Sequence, residues 1–423
     1  MPYLRAANVQ WAGVNGQDLK YMYIEPEQVR RYSVQQGDLL VCEGGEVGRC
    51  SMFNGFHSTK PLIIQNSVHR VRPRSGDVVE SKFLGYVLSL ASGLGWLTAM
   101  TNKATIGHLT KEKFNSILVP SPPPEWQRLL VRYLDHAELR IARAVQSKRR
   151  LAALLDERRR AAIQSLVIGG ACQGSDVKAS GIEWLGTVPA HWEIRPAKFF
   201  FKEVNERSAK GEEELLSVSH LTGVTPRATK TITMFMAASY VGHKVCRQGD
   251  LVVNTMWAWM GALGVASQTG IVSPAYAVYR PLPDSPLSPL YAGLLLRTRP
   301  YVDEYTCRST GIRSSRLRLY PDRFLSIPIV CPLPDEQLKI VNRAESETRG
   351  LTAAIAAVLS EIDLLLEYRT RLIADVVTGK LDVRLQAGSL PEVDPAELAA
   401  VLSTSMGAEA DLDEEAEEFV DAV

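Results

Sequence analysis

The sequence lacks the features that mark membrane, secreted and metal-binding proteins. No apolar run reaches the length of about eighteen residues that a membrane span needs, and residues 1–10 do not form a signal peptide. The six cysteines, at positions 42, 50, 172, 246, 307 and 331, form no CxxC pair and no cluster with histidine. They therefore predict neither a zinc site nor a disulfide framework. We expect reduced, mostly buried thiols in a cytoplasmic protein.

Motifs that bind phosphates or support catalysis are missing as well. The glycine cluster at 44–48 has neither a GxGxxG nor a GK[ST] pattern, and Gly379-Lys380 is followed by Leu381 instead of Ser or Thr. These two segments therefore do not predict a phosphate-binding loop. The seven histidines are scattered, without the spacing of a catalytic triad or a metal site. The sequence therefore predicts a chain without catalytic residues and without a cofactor or metal of its own.

The net charge of +1 conceals an uneven distribution. Residues 409–423 contain eight acids and no base, whereas residues 1–408 carry 48 bases against 39 acids, a net charge of +9. Such a body could bind a polyanion, but a mildly basic protein with a solubilising tail explains the same numbers. We expect the acidic tail to be disordered.

An internal repeat organises the chain. The segment GDLLV at 37–41 recurs as GDLVV at 249–253, and residues 119–127 match residues 329–337 at an offset of 210. The same offset continues through the following segment, where Glu157, Arg159, Ile163, Val167 and Gly169 pair with Glu367, Arg369, Ile373, Val377 and Gly379. Each repeat has short β-type runs, a proline-rich stop and a long segment of helical period. This pattern predicts two similar α/β or α+β globules, each followed by a long helix.

Both long segments predict amphipathic helices. Apolar residues recur in steps of three and four from Ile355 to Val377, and a similar stripe runs from Ala144 to Val167. Each helix would have about 44 residues and a length on the order of 65 Å. Helices this long cannot bury their stripes alone, so we expect an antiparallel, coiled-coil-like pair that holds the globules apart. A plain dimerisation stalk is the alternative.

Four further segments are distinctive: Glu336-Gln337 after the second proline-rich stop, Leu-x-Glu-Tyr-Arg-x-x-Leu-Ile at 365–373, GKLDVR at 379–384, and WLGTVPAHWE at 184–193. With the duplication, they resemble the DNA specificity subunits of type I restriction-modification enzymes. The resemblance covers nearly all of residues 1–384, and it rests on the order, the spacing and the duplication of these segments.

The resemblance implies two target recognition domains that each read one half of a split, asymmetric site in double-stranded DNA. It implies that two methyltransferase subunits dock on the long helices, and that restriction subunits can join them. It also implies that adenine-N6 methylation uses S-adenosylmethionine bound by the partners. The chain itself lacks the Asn/Asp-Pro-Pro-aromatic loop that would hold a flipped base. A coiled-coil scaffold without DNA affinity is the alternative function.

The repeat and the resemblance predict five segments. They are a first target recognition domain at 1–122, a first long helix at 123–170, a second domain at 171–332, a second long helix at 333–384 and an acidic, disordered tail at 385–423. Residues 184 to about 213 have no counterpart in the first repeat. Either the true start lies upstream, which we expect, or the first domain lacks its opening segment. Trp126 departs from the family pattern, which often has an acid before Gln127.

Candidate DNA contacts lie in predicted loops, where bases can meet phosphates and polar side chains can meet base edges. In the first domain they are Lys103, Thr105 and His108; in the second they are Arg308, Arg313 and Arg316. Gly107 and Gly311 would give these loops backbone freedom. Solvated surface bases are the alternative in each case.

A second group of candidates comes from residues 256–260, where Trp257 and Trp259 alternate with small residues at strand spacing. Part of this segment is expected in the core, since tryptophan in a strand usually packs. The counterpart at 44–48 has no aromatic residue, so the two repeats differ where readers of two different DNA sequences should differ. His57, Lys60 and Lys230 are weaker candidates.

Partner-docking candidates lie on the long helices and pair through the repeat. They are Gln127, Arg159, Gln337 and Arg369. The basic clusters at 148–150 and 158–160 predict a solvated helix face, with contact to a partner subunit or to DNA between the half-sites as alternatives.

Overall fold

The computed structural model describes residues 1–55, 61–73, 79–101, 107–169, 176–229, 239–311 and 317–406. The chain divides into two compact units: unit 1 combines Met1–Ala152 with Ala357–Val423, and unit 2 consists of Ala153–Ala356. No helix within the described ranges has both the length and the apolar character that a membrane crossing requires.

Unit 1 contains small sheets and short helices. Its strands are β1 Pro2–Leu4, β2 Val9–Gln10, β3 Gly13–Val14, β4 Lys20–Tyr21, β5 Leu39–Cys42, β6 Cys50–Met52, β7 Ile63–Ile64 and β8 Val68–Val71. They form sheets of order β4-β1-β7 and β6-β5-β8, with β2 paired to β3. The short helices are α1 Pro26–Tyr32, α2 Ser81–Gly93, α3 Trp96–Ala99 and α4 Lys111–Asn115. The central strand β5 is buried along its whole length, as its continuous apolar run predicts.

Unit 1 also contains part of α5, Pro124–Gly169, and part of α9, Pro334–Val377. Glu138 of α5 pairs with Arg369 of α9, and Lys148 pairs with Glu361. From Glu138 to Lys148 the position on α5 rises, whereas the position of the partner on α9 falls from Arg369 to Glu361. The two segments therefore run antiparallel in this unit. Each helix begins at a proline, whose missing N–H costs nothing in a first turn.

Unit 2 has a larger sheet and an aromatic core. Its strands are β9 Val177–Ala179, β10 Thr187–Pro189, β11 Glu193–Pro196, β12 Phe201–Val204, β13 Leu216–Ser219, β14 Gly223–Pro226, β15 Lys244–Cys246, β16 Leu251–Val253, β17 Leu263–Val265, β18 Gly270–Val272, β19 Ala277–Pro281 and β20 Pro328–Cys331. Its short helices are α6 Pro289–Leu295, α7 Arg299–Arg308 and α8 Pro321–Leu325. The antiparallel sheet β12-β19-β16-β17 packs on a core that includes Trp192, Tyr279, Tyr291 and Phe324. The Tyr291 hydroxyl donates to Val167 O at 2.7 Å, which ties the end of α5 to this core.

The two units repeat the same central motif. Strands β6-β5-β8 of unit 1 correspond to β17-β16-β19 of unit 2, with the same antiparallel pairing. In each motif a buried aspartate is salt-bridged to an arginine of the neighbouring strand or its end: Asp38 to Arg72, and Asp250 to Arg280. The predicted fold class, two similar mixed globules with two long helices, is confirmed.

The segment after α9 corrects the prediction of a disordered tail over 385–423. Residues up to Met406 contain two helices, α10 Arg384–Gly388 and α11 Pro395–Met406. Asp394 caps α11, since its Oδ1 accepts from Ala396 N at 2.9 Å, and Leu398 of α11 is buried in unit 1. The acids that suggested disorder are concentrated after residue 408, whereas residues 395–406 are rich in alanine and leucine, which favour helix.

Candidate nucleic-acid interface

A tryptophan turn follows strand β16 in unit 2. Residues Ala258–Met260 form a 3-10 helix rather than the predicted strand, and Gly261 ends it with a φ of 84°. The rings of Trp257 and Trp259 are stacked, with centroids 5.7 Å apart and planes 20° apart. Trp259 Nε1 donates to Met256 O at 2.9 Å, which fixes the ring. Both indoles are half-buried, so each offers part of its surface to a ligand.

Residues 318 and 319, which follow the predicted arginine-rich loop 308–316, lie directly beside this turn. Leu319 N donates to Thr255 O at 2.9 Å, and Arg318 Nε donates to Thr255 Oγ1 at 3.3 Å. The guanidinium of Arg318 also lies over the Tyr320 ring, 5.8 Å from its centroid. Residues 254–261 and the end of the arginine-rich segment therefore form one surface of unit 2.

Unit 1 has the same arrangement with different side chains. Leu109 N donates to Glu43 O at 2.7 Å, which is the repeat counterpart of the bond from Leu319 to Thr255. His108 is exposed and lies beside the glycine cluster at 44–48, because a Cβ added at Gly44 would be 3.3 Å from His108 Nδ1. The structure thus brings His108 together with residues 44–48, as it brings Arg318 together with the tryptophan turn.

Arg308 is held by unit 2 itself. Its Nε donates to Glu304 Oε1 at 2.5 Å and its guanidinium donates to Ser326 Oγ at 2.7 Å, leaving the side chain 30% exposed. A DNA phosphate would therefore compete with Glu304 for this arginine. The remaining candidates, His57, Lys60, Lys103, Thr105, Lys230, Arg313 and Arg316, lie outside the described residues.

Arg318 and Tyr320 are not among the residues predicted from the sequence. Arg318 is a basic residue of the same kind as Arg316. It was not predicted because it lies two residues after the predicted loop 308–316. What distinguishes it is the bond to Thr255, a contact between residues 63 positions apart that no local pattern reveals.

Gln127 and Gln337 are not surface contacts, which corrects their assignment to partner docking. Both side chains are 0% exposed. Gln127 accepts from Glu80 N at 2.8 Å and donates to Pro122 O at 2.7 Å, and Gln337 accepts from Ser288 N at 2.7 Å and donates to Pro332 O at 2.8 Å. A side chain without exposed surface cannot touch a partner, so the two glutamines instead tie the first turn of each long helix to its own unit.

The two arginine candidates for docking are also held by internal contacts. Arg369 pairs with Glu138 of α5, and Arg159 pairs with Asp156 one turn earlier on its own helix. Their side chains keep 23% and 32% exposure, so part of each guanidinium remains accessible.

Trp126, the departure from the family pattern, is accommodated by a local change. In unit 2 the equivalent Glu336 accepts from Trp192 Nε1 at 3.0 Å and lies 2.8 Å from His191 Nε2. In unit 1 the Arg384 guanidinium lies over the Trp126 ring at 4.0 Å, so a cation–π contact replaces the hydrogen bonds to a carboxylate.

Metal centres and reactive thiols are the other possible sites for chemistry among the described residues. No group of three or more His, Cys, Asp or Glu side chains there is placed to hold a metal ion. Cys42, Cys50, Cys246 and Cys331 are buried free thiols, and Cys307 is an exposed one.

Comparison with known proteins gives a family-model match over the first part of the chain and a similarity of fold over most of it. Residues 1–148 match the family model of the type I restriction modification DNA specificity domain. The search of curated proteins gives no match to the chain. A chain from a structural study of complex assembly and conformational transition in the type I R-M system aligns at 14% identity over 90% of this chain and 92% of that chain, with a TM-score of 0.60.

Two further crystal structures align with lower scores. They are the HsdS subunit from Thermoanaerobacter tengcongensis, with 14% identity, coverage of 90% of both chains and a TM-score of 0.39, and the type I restriction-modification S subunit from M. genitalium, with 10% identity, coverage of 92% of both chains and a TM-score of 0.32. The fold assignment rests on the first structure.

Proposed function

We propose that this chain recognises a two-part site in double-stranded DNA. The match of residues 1–148 to the model of the type I DNA specificity domain and the similarity of fold support this proposal. Unit 1 reads one part and unit 2 reads the other. The observation that carries the proposal is the repeated loop pair: Leu109 with Glu43, and Leu319 with Thr255, join equivalent loops.

The side chains on the two loop pairs are suited to different sequences. In unit 2 the indoles of Trp257 and Trp259 offer apolar surface to base edges, such as the thymine methyl group, and Arg318 offers donors to guanine or phosphate. In unit 1 the glycine cluster at 44–48 lets the backbone approach DNA closely, and His108 supplies one polar side chain. Such a difference between repeats supports an asymmetric site.

The long helices provide the docking surface for other subunits in this proposal. Large apolar side chains remain exposed on the helices of each unit by itself: in unit 1 Leu151 46%, Leu359 50%, Leu364 61% and Tyr368 54%, and in unit 2 Leu154 55% and Leu338 58%. Exposed apolar surface of this extent supports binding of protein partners. We assign this surface to two methyltransferase subunits, with restriction subunits joining the complex in the cytoplasm.

The chemistry belongs to the partners in this scheme. The chain itself is non-catalytic, and the methyltransferase subunits bind S-adenosylmethionine and methylate adenine N6. The residues of this chain position the DNA and exclude wrong sequences.

The test is co-expression with a type I methyltransferase subunit from the same genome, followed by sequencing that detects N6-methyladenine. We expect one split motif that requires this chain. Trp257→Ala with Trp259→Ala should relax or abolish one half of the motif, whereas Phe199→Ala, which removes an exposed aromatic from another element of unit 2, should leave it unchanged. A stable complex without sequence-specific methylation would refute DNA recognition and favour the scaffold alternative.

A further inference from the structure

A stripe of basic residues runs along α5 in unit 1. Arg132, His136, Arg140, Arg143 and Arg150 follow one another at spacings of 4, 4, 3 and 7 residues, which places them on one face of a helix with 3.6 residues per turn. We call these five residues the basic stripe.

Among the acids of α5 in unit 1 only Glu125 is exposed, and it lies about two helical turns before Arg132, outside the stripe. The two acids between positions 126 and 152 are Asp135 and Glu138, and they are 5% and 3% exposed. Asp135 is bound by Lys82 at 2.5 Å and by the Tyr86 hydroxyl at 2.8 Å, and Glu138 is bound by Arg369. Both carboxylates are therefore neutralised inside the unit, and the surface of this part of α5 is cationic.

The C-terminal segment of the same chain already binds part of the stripe. Glu392 lies 3.4 Å from Arg132, Pro391 O lies 2.6 Å from His136 Nε2, and Glu397 pairs with Arg143. Further along, the Ser405 carbonyl accepts a hydrogen bond from Arg149. Because position numbers rise together on both elements, residues 391–405 run parallel to α5 and lead toward Arg150.

Two arginines of the stripe remain available for another anion. Arg140 and Arg150 are exposed, and neither makes an ion pair with any residue in the described ranges. They lie on either side of Arg143, about 15 Å apart at the rise of an α-helix. The chain beyond Met406 has seventeen residues, eight of them acidic and none basic. Seventeen residues can extend about 56 Å, which is ample to reach both arginines.

We propose that residues 407–423 bind along the basic stripe and shield it from other polyanions, DNA in particular. The occupant is inferred from charge complementarity and from the tether, since the acidic segment follows Ser405, whose carbonyl is bound by Arg149. The proposal goes beyond DNA recognition, because it concerns the long helix rather than the loops that read bases.

The direct test measures binding of the tail in trans. A chain truncated after Met406 is titrated with a fluorescent peptide of residues 407–423 at low salt. We expect binding to weaken about fivefold in Arg140→Gln with Arg150→Gln, since each exposed ion pair contributes modestly. The control, Arg349→Gln with Arg371→Gln, removes the same charge from exposed positions of α9 and should bind like the parent. Equal affinity of the two double variants would overturn the proposal.

A second measurement tests the shielding. The truncated chain should bind a non-specific duplex more tightly than the full chain, and the slope of log affinity against log salt should become steeper by about two, one phosphate contact for each of Arg140 and Arg150. A full-length chain with the eight tail acids changed to Asn or Gln should match the truncated chain. If the peptide binds the stripe but duplex affinity does not change on truncation, the shielding is refuted. If no form of the chain binds duplex, the proposed function fails, and the peptide titration still decides the tail contact.

Discussion

Arg369 of α9 donates through Nε to both carboxylate oxygens of Glu138 of α5, at 2.8 and 2.9 Å. Glu138 is almost fully buried, so its charge depends on this partner. Arg369→Met should therefore lower the free energy of unfolding of unit 1 by about 3–5 kcal/mol, because it leaves a buried carboxylate unpaired. Urea denaturation followed by circular dichroism measures the change.

The control for this substitution lies two residues away. Arg371 pairs with Glu367 at 3.5 Å, and both side chains are largely exposed. Arg371→Met should cost less than about 1 kcal/mol, as exposed pairs do. Adding Glu138→Leu to Arg369→Met should restore part of the lost stability. Equal effects of Arg369→Met and Arg371→Met would contradict the structural role assigned to Glu138.

Gln337 should behave as a structural residue and not as a docking residue. Gln337→Met leaves Ser288 N–H and the Pro332 carbonyl without their partner, so we expect a loss of about 2–3 kcal/mol in the stability of unit 2. Gln127→Met should have a similar effect on unit 1, since it makes the equivalent bonds. Thermal denaturation checks both. Variants of unchanged stability that no longer bind the methyltransferase would restore the docking assignment.

Leu364 is expected to contribute to partner docking. It is 61% exposed on α9, and Leu364→Asp should weaken capture of the methyltransferase subunit at least tenfold by placing a charge in an apolar interface. Leu385→Asp is the matched control, because Leu385 is 93% exposed but lies on α10, outside the long helices. Affinity is measured by titration of immobilised chain. If both variants bind normally, the docking surface lies elsewhere.

Thiol labelling should distinguish Cys307 from the buried cysteines. Burial raises the pKa of the Cys246 and Cys331 thiols to about 11, so they stay protonated at pH 8. In a Cys172→Ser background we expect one rapid reaction with a thiol reagent, at Cys307, and four more only after unfolding. Fast labelling of a second site would show that a buried thiol becomes accessible in the native state.

The same pKa values predict a pH dependence of stability. Because the folded pKa lies above the ordinary value near 9, these two thiols favour the folded state below pH 9, and that contribution is lost as the pH rises from 9 to 11. Denaturation midpoints at pH 8 and pH 10 should show the fall, and Cys246→Ala should reduce it.

The repeat made much of the fold predictable. A proline-rich stop followed by a 3.6-residue period predicts a long helix wherever it occurs, and α5 and α9 follow that pattern. The aromatic segment at 256–260 was harder, because Trp257 and Trp259 at a spacing of two fit both a strand and a 3-10 turn. The backbone bond from Ala262 N to Trp257 O and the left-handed Gly261 decide for the turn.

The candidate site was only partly predictable for a related reason. A loop rich in bases can be found in the sequence, but its partner across the fold cannot, so Arg318 was missed and Arg308 was included although Glu304 neutralises it. Gln127 and Gln337 show a second limit. Their equivalent positions in the repeat indicate a shared role, but the sequence does not indicate whether the side chains are buried or exposed.

The division of the chain into units has a consequence for synthesis on the ribosome. Unit 2 is continuous from Ala153 to Ala356, whereas unit 1 needs its first 152 residues together with Ala357–Val423. Domains usually fold in order from the N-terminus as they emerge. Here the order is inverted: residues 1–152 must wait, with their share of α5 unpaired, until the segment that begins at Ala357 has been made, and unit 2 can be finished first.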